Sequence, residues 1–362
     1  MRAAVRAALT TSILLLAGGG TRAADVPTHH AEFLSEPYTI DRIYKSMAGP
    51  EGKQIVRLWT ADPPELLWIT GYRVRVVGAD GTSAVSQEFM CHNNLDYNPL
   101  DHARVFGSPP GFSTRLFTLS QGQFAVDLPA GFGLPIMSNE TLYLSTQVLN
   151  HNLKDAHIRV RHKVTVDFVR DQELKEPLKA LFPAAGFVVA LLEGKEAVFG
   201  TTEATETQQH ASCLPGIQAP DSKYSNVVIT DGAGRKATGH WVVNRGREER
   251  HTLITNMLHL PSDTTIHFIG VHLHPFAASL ALRDLTTGKT LFTSRARGPK
   301  KGIGLEHVDA FSSREGIPVY RGHDYELVSM YDNRSATEQD AMATMFFYLL
   351  DKNFKKPAGI AN

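Results

Sequence analysis

The sequence predicts an all-β protein of two domains, each a sandwich or a jelly roll. Helical periodicity is scarce, whereas short β-type runs punctuated by Gly, Pro, Asn and Asp recur along the chain, the pattern of sandwiches and jelly rolls. The 362 residues also exceed what one hydrophobic core usually supports.

Arg2 and Arg6 precede the apolar run Ser12-Ile13-Leu14-Leu15-Leu16-Ala17, three glycines and Thr21-Arg22-Ala23. This is the order of a secretory signal peptide, read here over residues 1–23. The mature chain is therefore expected to be exported, to the periplasm if the source is bacterial. No later segment is apolar and long enough to suggest a membrane span. Lys plus Arg, 37, equals Asp plus Glu, 37, so no net field favours nucleic acid or an anionic membrane. A small-molecule or peptide substrate is left as the expected partner, its identity open. Cys91 and Cys213 are the two cysteines; in an oxidising compartment they suggest one disulfide. A free thiol or thiolate ligand at Cys91 is the competing reading.

In chain order, β-type runs are expected at 66–77, 114–119, 142–148, 158–168, 187–192, 225–230, 253–258, 264–273, 280–285, 325–331 and 344–350. Turns such as Gly78-Ala79-Asp80-Gly81 and Thr287-Gly288-Lys289 join them. One short helix is expected over 171–182, with Leu174, Leu178 and Leu181 on one stripe and Pro183 at its end. The polar stretch 199–209 reads as a linker between a first domain, 28–198, and a second, 210–354.

Chemistry gathers first at Thr265-Ile266-His267-Phe268-Ile269-Gly270-Val271-His272-Leu273-His274-Pro275. With period two, Ile266, Phe268, Gly270, His272 and His274 point to one face. Two imidazoles so spaced can reach one metal ion, copper or zinc being the usual occupants; the plain alternative is two ordinary strand-end histidines. Met342 lies in a later β run, sharing a face with Phe346. A methionine there is normally packing, but beside the histidine pair it would complete a two-nitrogen, one-thioether set that favours copper, Cu(I) above all. In the first domain Cys91 and His92 are adjacent, so both could bind one ion only at a bulge or strand end. His151 ends the 142–148 run; alone, it and His92 read first as structural or exposed. His29 and His30 read as a mobile arm or an adventitious copper site, and His157 and His162 as a solvated face around Arg159-Val160-Arg161. His307 is a candidate outer partner of a ligand or an uninvolved turn residue. No Gly-x-Ser-x-Gly elbow, phosphate-cradling Gly loop or His-Glu-x-x-His helix is present.

The order of these motifs resembles the copper type II, ascorbate-dependent monooxygenases, the family of peptidylglycine α-hydroxylating monooxygenase and dopamine β-monooxygenase. Val271-His272-Leu273-His274 and Asp340-Ala341-Met342 are similar to that family's oxygen-activating copper ligands. Leu305-Glu306-His307, Gly322-His323-Asp324 and Leu128-Pro129-Ala130-Gly131-Phe132-Gly133 match lesser motifs in order. The electron-transfer site matches with a departure: Cys91-His92 stands where the family has His-His, and His151 is displaced by two residues. The resemblance implies two tandem antiparallel jelly-roll domains flanking a cleft, one or two copper ions per chain, and hydroxylation of an aliphatic C–H bond with dioxygen and a reductant such as ascorbate. His272, His274 and Met342 would hold the catalytic copper, and His92 and His151, with Cys91 beside them, the other. A Cys91–Cys213 disulfide would leave that second site two histidines, with His29 or His30 needed to complete it. The alternatives are a non-enzymatic exported copper-binding or delivery protein, and a jelly-roll interaction or carbohydrate-binding protein with structural histidines.

Overall fold

Residue 27 onward is described by a computed structural model that covers 27–107, 113–191 and 235–357, with the short strands Phe199–Gly200, Thr205–Glu206 and Val228–Thr230 between. The first half contributes β1 (His29–Leu34), β2 (Glu51–Val56), β3 (Leu66–Gly78), β4 (Met90–Tyr97), β5 (Arg115–Ser120), β6 (Phe132–Met137), β7 (Leu142–Val148), β8 (Ile158–Arg170) and β9 (Lys179–Phe187). The second contributes β10 (Trp241–Val243), β11 (Gly246–Leu253), β12 (Thr264–Leu273), β13 (Ala277–Asp284), β14 (Lys289–Arg297), β15 (Phe311–Val319), β16 (Tyr325–Asn333), β17 (Gln339–Ala341) and β18 (Ala343–Leu350). The chain is an all-β jelly-roll protein.

One 10-stranded sheet runs through both halves along the path β1-β8-β3-β6-β9-β18-β12-β15. The sheet β2-β7-β4-β5 packs in the first half, and a 6-stranded sheet containing β11-β16-β13-β14 in the second. Long neighbours pair antiparallel, while β6 and β9 pair parallel.

The strands β9, β12 and β18 send alternate side chains into two cores. Leu181, Ala185, Phe268, Phe346 and Tyr348 join the first. Phe182, Ala184, Ile269, Val271, Met345 and Phe347 join the second. A strand buried on both faces needs apolar residues at consecutive positions, which is why β18 reads Ala-Thr-Met-Phe-Phe-Tyr-Leu-Leu without polar alternation.

The halves are stitched at the turn that follows β5. The Gln123 Oε1 accepts from Val271 N at 2.8 Å, and Gln121 Oε1 from Leu305 N at 3.1 Å. Val308 N donates to Gly122 O at 3.1 Å, and Tyr348 Oη to Leu116 O at 2.8 Å. Gly122 has φ +85, and a Cβ there would stand 2.7 Å from Val308 Cγ2, so this approach needs glycine.

Several expectations are corrected. The helix over 171–182 is a single 3-10 turn, Asp171–Glu173, followed by β9. Pro177 cannot continue a helix, and Leu174 and Leu178 instead pack against the Leu66–Trp68 cluster. Pro183 lies inside β9, opposite Tyr348. A helix not expected, α1 (Pro99–Phe106), is capped by Asn98, whose side chain accepts from Leu100 N and Asp101 N. Asn followed by Pro at the first helical position was its signal. The run 253–258 is the end of β11 plus the short helix α2 (Thr255–Leu258), and 187–192 is the end of β9 plus a strand at Ala190–Leu191.

The register of β12 shifts between Ile266 and Phe268, so Ile266 lies in the second core and not on the Phe268 face. His29 and His30 are not a mobile arm. They begin β1, with Nε2 of His29 2.8 Å from Glu173 Oε2 and Nδ1 of His30 2.6 Å from Asp167 Oδ1. His162 is not solvated: it is fully buried, with Nδ1 3.3 Å from Asn93 Nδ2. The signal-peptide segment 1–23, Cys213 with its disulfide, and most of the 199–209 linker lie outside the described residues. Among the described residues no helix is long and apolar enough to cross a membrane.

Candidate metal centre

Backbone register brings the singled-out residues to one seam. Along β12, Phe268 faces the first core, and at period two His272 follows on that side. His274 lies just past the strand, its N–H donating to Met342 O at 3.2 Å. The same carbonyl accepts from Tyr331 Oη at 2.6 Å, so the link between β17 and β18 is held against the end of β12. Met342 is fully buried yet belongs to neither of the two large apolar clusters.

From the first half comes β4, whose register against β7 shifts between Met90 and His92. Cys91 thus sits at a bulge, one of the two circumstances in which adjacent residues can turn toward a common point. His92 stands opposite both Gln147 and Ser120, and its ring centroid is 6.5 Å from that of His272. The His272 and His274 rings are 5.3 Å apart. His151 shares none of these ring contacts, though the charge of Asp340 acts on it; its Nε2 is 3.4 Å from Ser46 Oγ. His307 does not join: it is half-exposed on a short strand, with Nε2 2.9 Å from Asp309 Oδ1.

Two residues not singled out as ligands from the sequence complete the cluster. The His240 ring lies 5.2 Å from that of His274, and its Nε2 is 3.4 Å from Asp340 Oδ2. Nδ1 of His274 is 2.9 Å from the same oxygen. That is ion-pair range, but no ring N–H of His274 is directed at an acceptor, and both ring nitrogens are buried without a hydrogen-bond partner. The contact is a close polar one that lacks the alignment of a good hydrogen bond. Asp340 was legible only as the acidic residue before Met342, and His240 only as an unremarked histidine beside Trp241.

The electrostatics keep the imidazoles neutral. Burial lowers His272 well below the ordinary imidazole range, with His274 and His92 adding to it. Burial likewise lowers His274, against the opposing pull of Asp340. Burial brings His92 to about 3 and His151 to about 4. Asp340 is pushed up by burial, but His240 and His274 outweigh this and hold its carboxyl far below the usual carboxylate range. Burial raises the Cys91 thiol to about 12, so it is protonated unless a metal displaces the proton. Neutral imidazole and ionised carboxylate are the ligating forms.

Both ring nitrogens of His272 also lack partners, as do the buried Ser120 Oγ, Gln147 Oε1 and Thr344 Oγ1. Ser120 and Gln147 flank His92, and Thr344 is opposite His272. Buried polar atoms are normally satisfied, so such a concentration marks a place built for something else.

Fold and site together define a jelly-roll protein with a buried, imidazole-rich centre at the seam of its halves. No protein-family model matches the chain, and no curated protein matches it. Among solved structures it is similar to PBCV-1 VP54 fitted into a cryo-EM reconstruction of the virophage Sputnik, at 10% identity over 95% of this chain and 99% of that one, TM-score 0.37. A peptide-N(4)-(N-acetyl-beta-D-glucosaminyl) asparagine amidase is similar at 8% identity over 92% and 99% of the two chains, TM-score 0.35. The STIV MCP is similar at 8% identity over 88% and 97%, TM-score 0.29. Likeness at this level carries no functional argument.

Proposed function

We propose that this chain is a copper-binding jelly-roll protein whose ion is held by His272, His274 and Met342. The observation that carries the reading is that the four ring nitrogens of His272 and His274 are buried without an aligned hydrogen bond, Nδ1 of His274 facing the Asp340 carboxylate out of line. Leaving a buried donor or acceptor unsatisfied costs about 1–3 kcal/mol, and a metal ligand is the role that repays it. Two imidazoles with an apolar-set thioether suit Cu(I). Bound copper would supply one-electron redox chemistry; the chain's own residues bind it, keep it from water and fix the ring orientations.

Binding is preferred to hydroxylation of an aliphatic C–H bond. His92, one of the first-half histidines assigned to a separate electron-transfer copper, lies against the second-half site and not apart from it. His92, His272 and His274 are at most 2% exposed, so a substrate would have to displace protein to reach them. The test is Cu(I) titration of the full chain against a competing chelator. One copper per chain, lost in His272→Ala and Met342→Ile, supports binding. Two coppers, with ascorbate-dependent oxygen consumption, would replace this reading with the monooxygenase. No bound copper would refute both and favour a jelly-roll interaction or carbohydrate-binding role.

A further inference from the structure

We infer that His240, His274 and Asp340 form a second kind of ligand set, a two-imidazole, one-carboxylate site for a divalent first-row cation such as zinc(II). One ligand atom from each lies within 4.8 Å of the other two. A metal with bonds of about 2.0–2.2 Å to N and O places its ligand atoms roughly 2.8–3.1 Å apart in octahedral arrangement and about 3.3–3.6 Å apart in tetrahedral arrangement. The observed separations are 2.9 Å for His274 Nδ1 to Asp340 Oδ2 and 3.4 Å for His240 Nε2 to the same oxygen. These contacts already have the spacing of ligand edges.

The contact between His274 and Asp340 is the sharper observation. At 2.9 Å and out of line for a hydrogen bond, the imidazole nitrogen and the carboxylate oxygen stand side by side, as two ligands of one ion do. A cation facing both would use that side-by-side geometry; a hydrogen bond would need the nitrogen in line with the oxygen. His274 is 2% exposed and its ring nitrogens make no aligned hydrogen bond. The His240 and Asp340 side chains are 20% and 18% exposed, giving an ion a route from solvent. Nitrogen and carboxylate oxygen select a borderline divalent ion where nitrogen and thioether select Cu(I). Only His274 is common to the two sets, so this inference does not depend on the copper reading.

Equilibrium dialysis of the full chain with zinc(II) alone tests it. The wild type is expected to bind one zinc. Asp340→Asn and His240→Gln, both conservative at partly exposed positions, should each weaken binding about 100-fold or more, since even outer partners of metal ligands cost 10–100-fold. Met342→Leu should leave zinc affinity within about threefold, because a thioether adds little for this ion. Near-ultraviolet circular dichroism of each variant confirms that the fold is kept. Absence of zinc binding, zinc binding indifferent to Asp340→Asn and His240→Gln, or equal loss in Met342→Leu would each overturn the proposal. The copper titration, read through His272 and Met342, fails or succeeds separately.

Discussion

Replacing His272 with Leu should make the metal-free protein more stable, not less. The ring is 2% exposed and both nitrogens lack partners, so one donor and one acceptor are desolvated for nothing when no ion is bound. At about 1–3 kcal/mol each, the imidazole costs roughly 2–6 kcal/mol. Imperfect fit of the new side chain among the packed strands returns about 1–2 kcal/mol of that. The net expectation is a gain of about 2 kcal/mol in urea unfolding followed by tryptophan fluorescence, with a chelator present. Copper should reverse the order. At a free concentration 100-fold above the dissociation constant, a ligand binding only the native state adds about 2.7 kcal/mol, and His272→Leu should not respond. Should the substitution lower metal-free stability by 1 kcal/mol or more, the ring nitrogens are satisfied after all and the metal argument loses its main support.

Three further outcomes are expected. Burial holds His162 to about 3 against 6.5 for an ordinary imidazole. The unfolded chain therefore takes up the proton first, and stability is full above pH 6.5 and falls as pH drops toward 3. His162→Gln should flatten that acid limb by about 1.4 kcal/mol per pH unit between pH 6 and 4; an unchanged slope would show that the ring is hydrated. Asp96 pairs with the buried Arg115, Oδ1 to Nε at 2.6 Å. Asp96→Asn should cost about 3 kcal/mol in chemical denaturation by stranding the guanidinium, and a loss under 1 kcal/mol would mean that water screens the pair. Gly122→Ala should be more destabilising than Gly107→Ala, by about 1–2 kcal/mol. Both have positive φ, but only Gly122 meets a neighbour, Val308 of the second half. Equal melting-temperature losses would mean that the seam yields at that point.

Much of the architecture was legible because strand periodicity is local. The extents of β7 and β12 coincide with the runs read from alternation and turn residues. The errors fall where a local pattern met a stronger constraint. Pro177 stopped the leucine stripe of 171–182 from becoming a helix, and parallel pairing with β6 made its end a strand. His162 looked solvated beside the Arg159-Val160-Arg161 run, but alternate residues on β8 face opposite ways: Arg161 remains partly exposed while its neighbour is buried. The bulge at His267 reversed Ile266, and no residue type in that stretch announces it.

The sequence by itself determined which residue types could meet a metal: His272 and His274 two apart, Met342 after an acidic residue, His92 beside Cys91. Only the tertiary structure decided that residues from both halves converge. It brought β4 within ring contact of β12, set Asp340 2.9 Å from His274, and through the pairing of β10 with β17 added His240, which no spacing rule selects. Strand period fixes the face of a side chain but not which sheet that face meets. The meeting depends on packing between strands some 180 residues apart, from His92 to His272, and such long-range contacts are set by burial of the whole core and not by any segment within it.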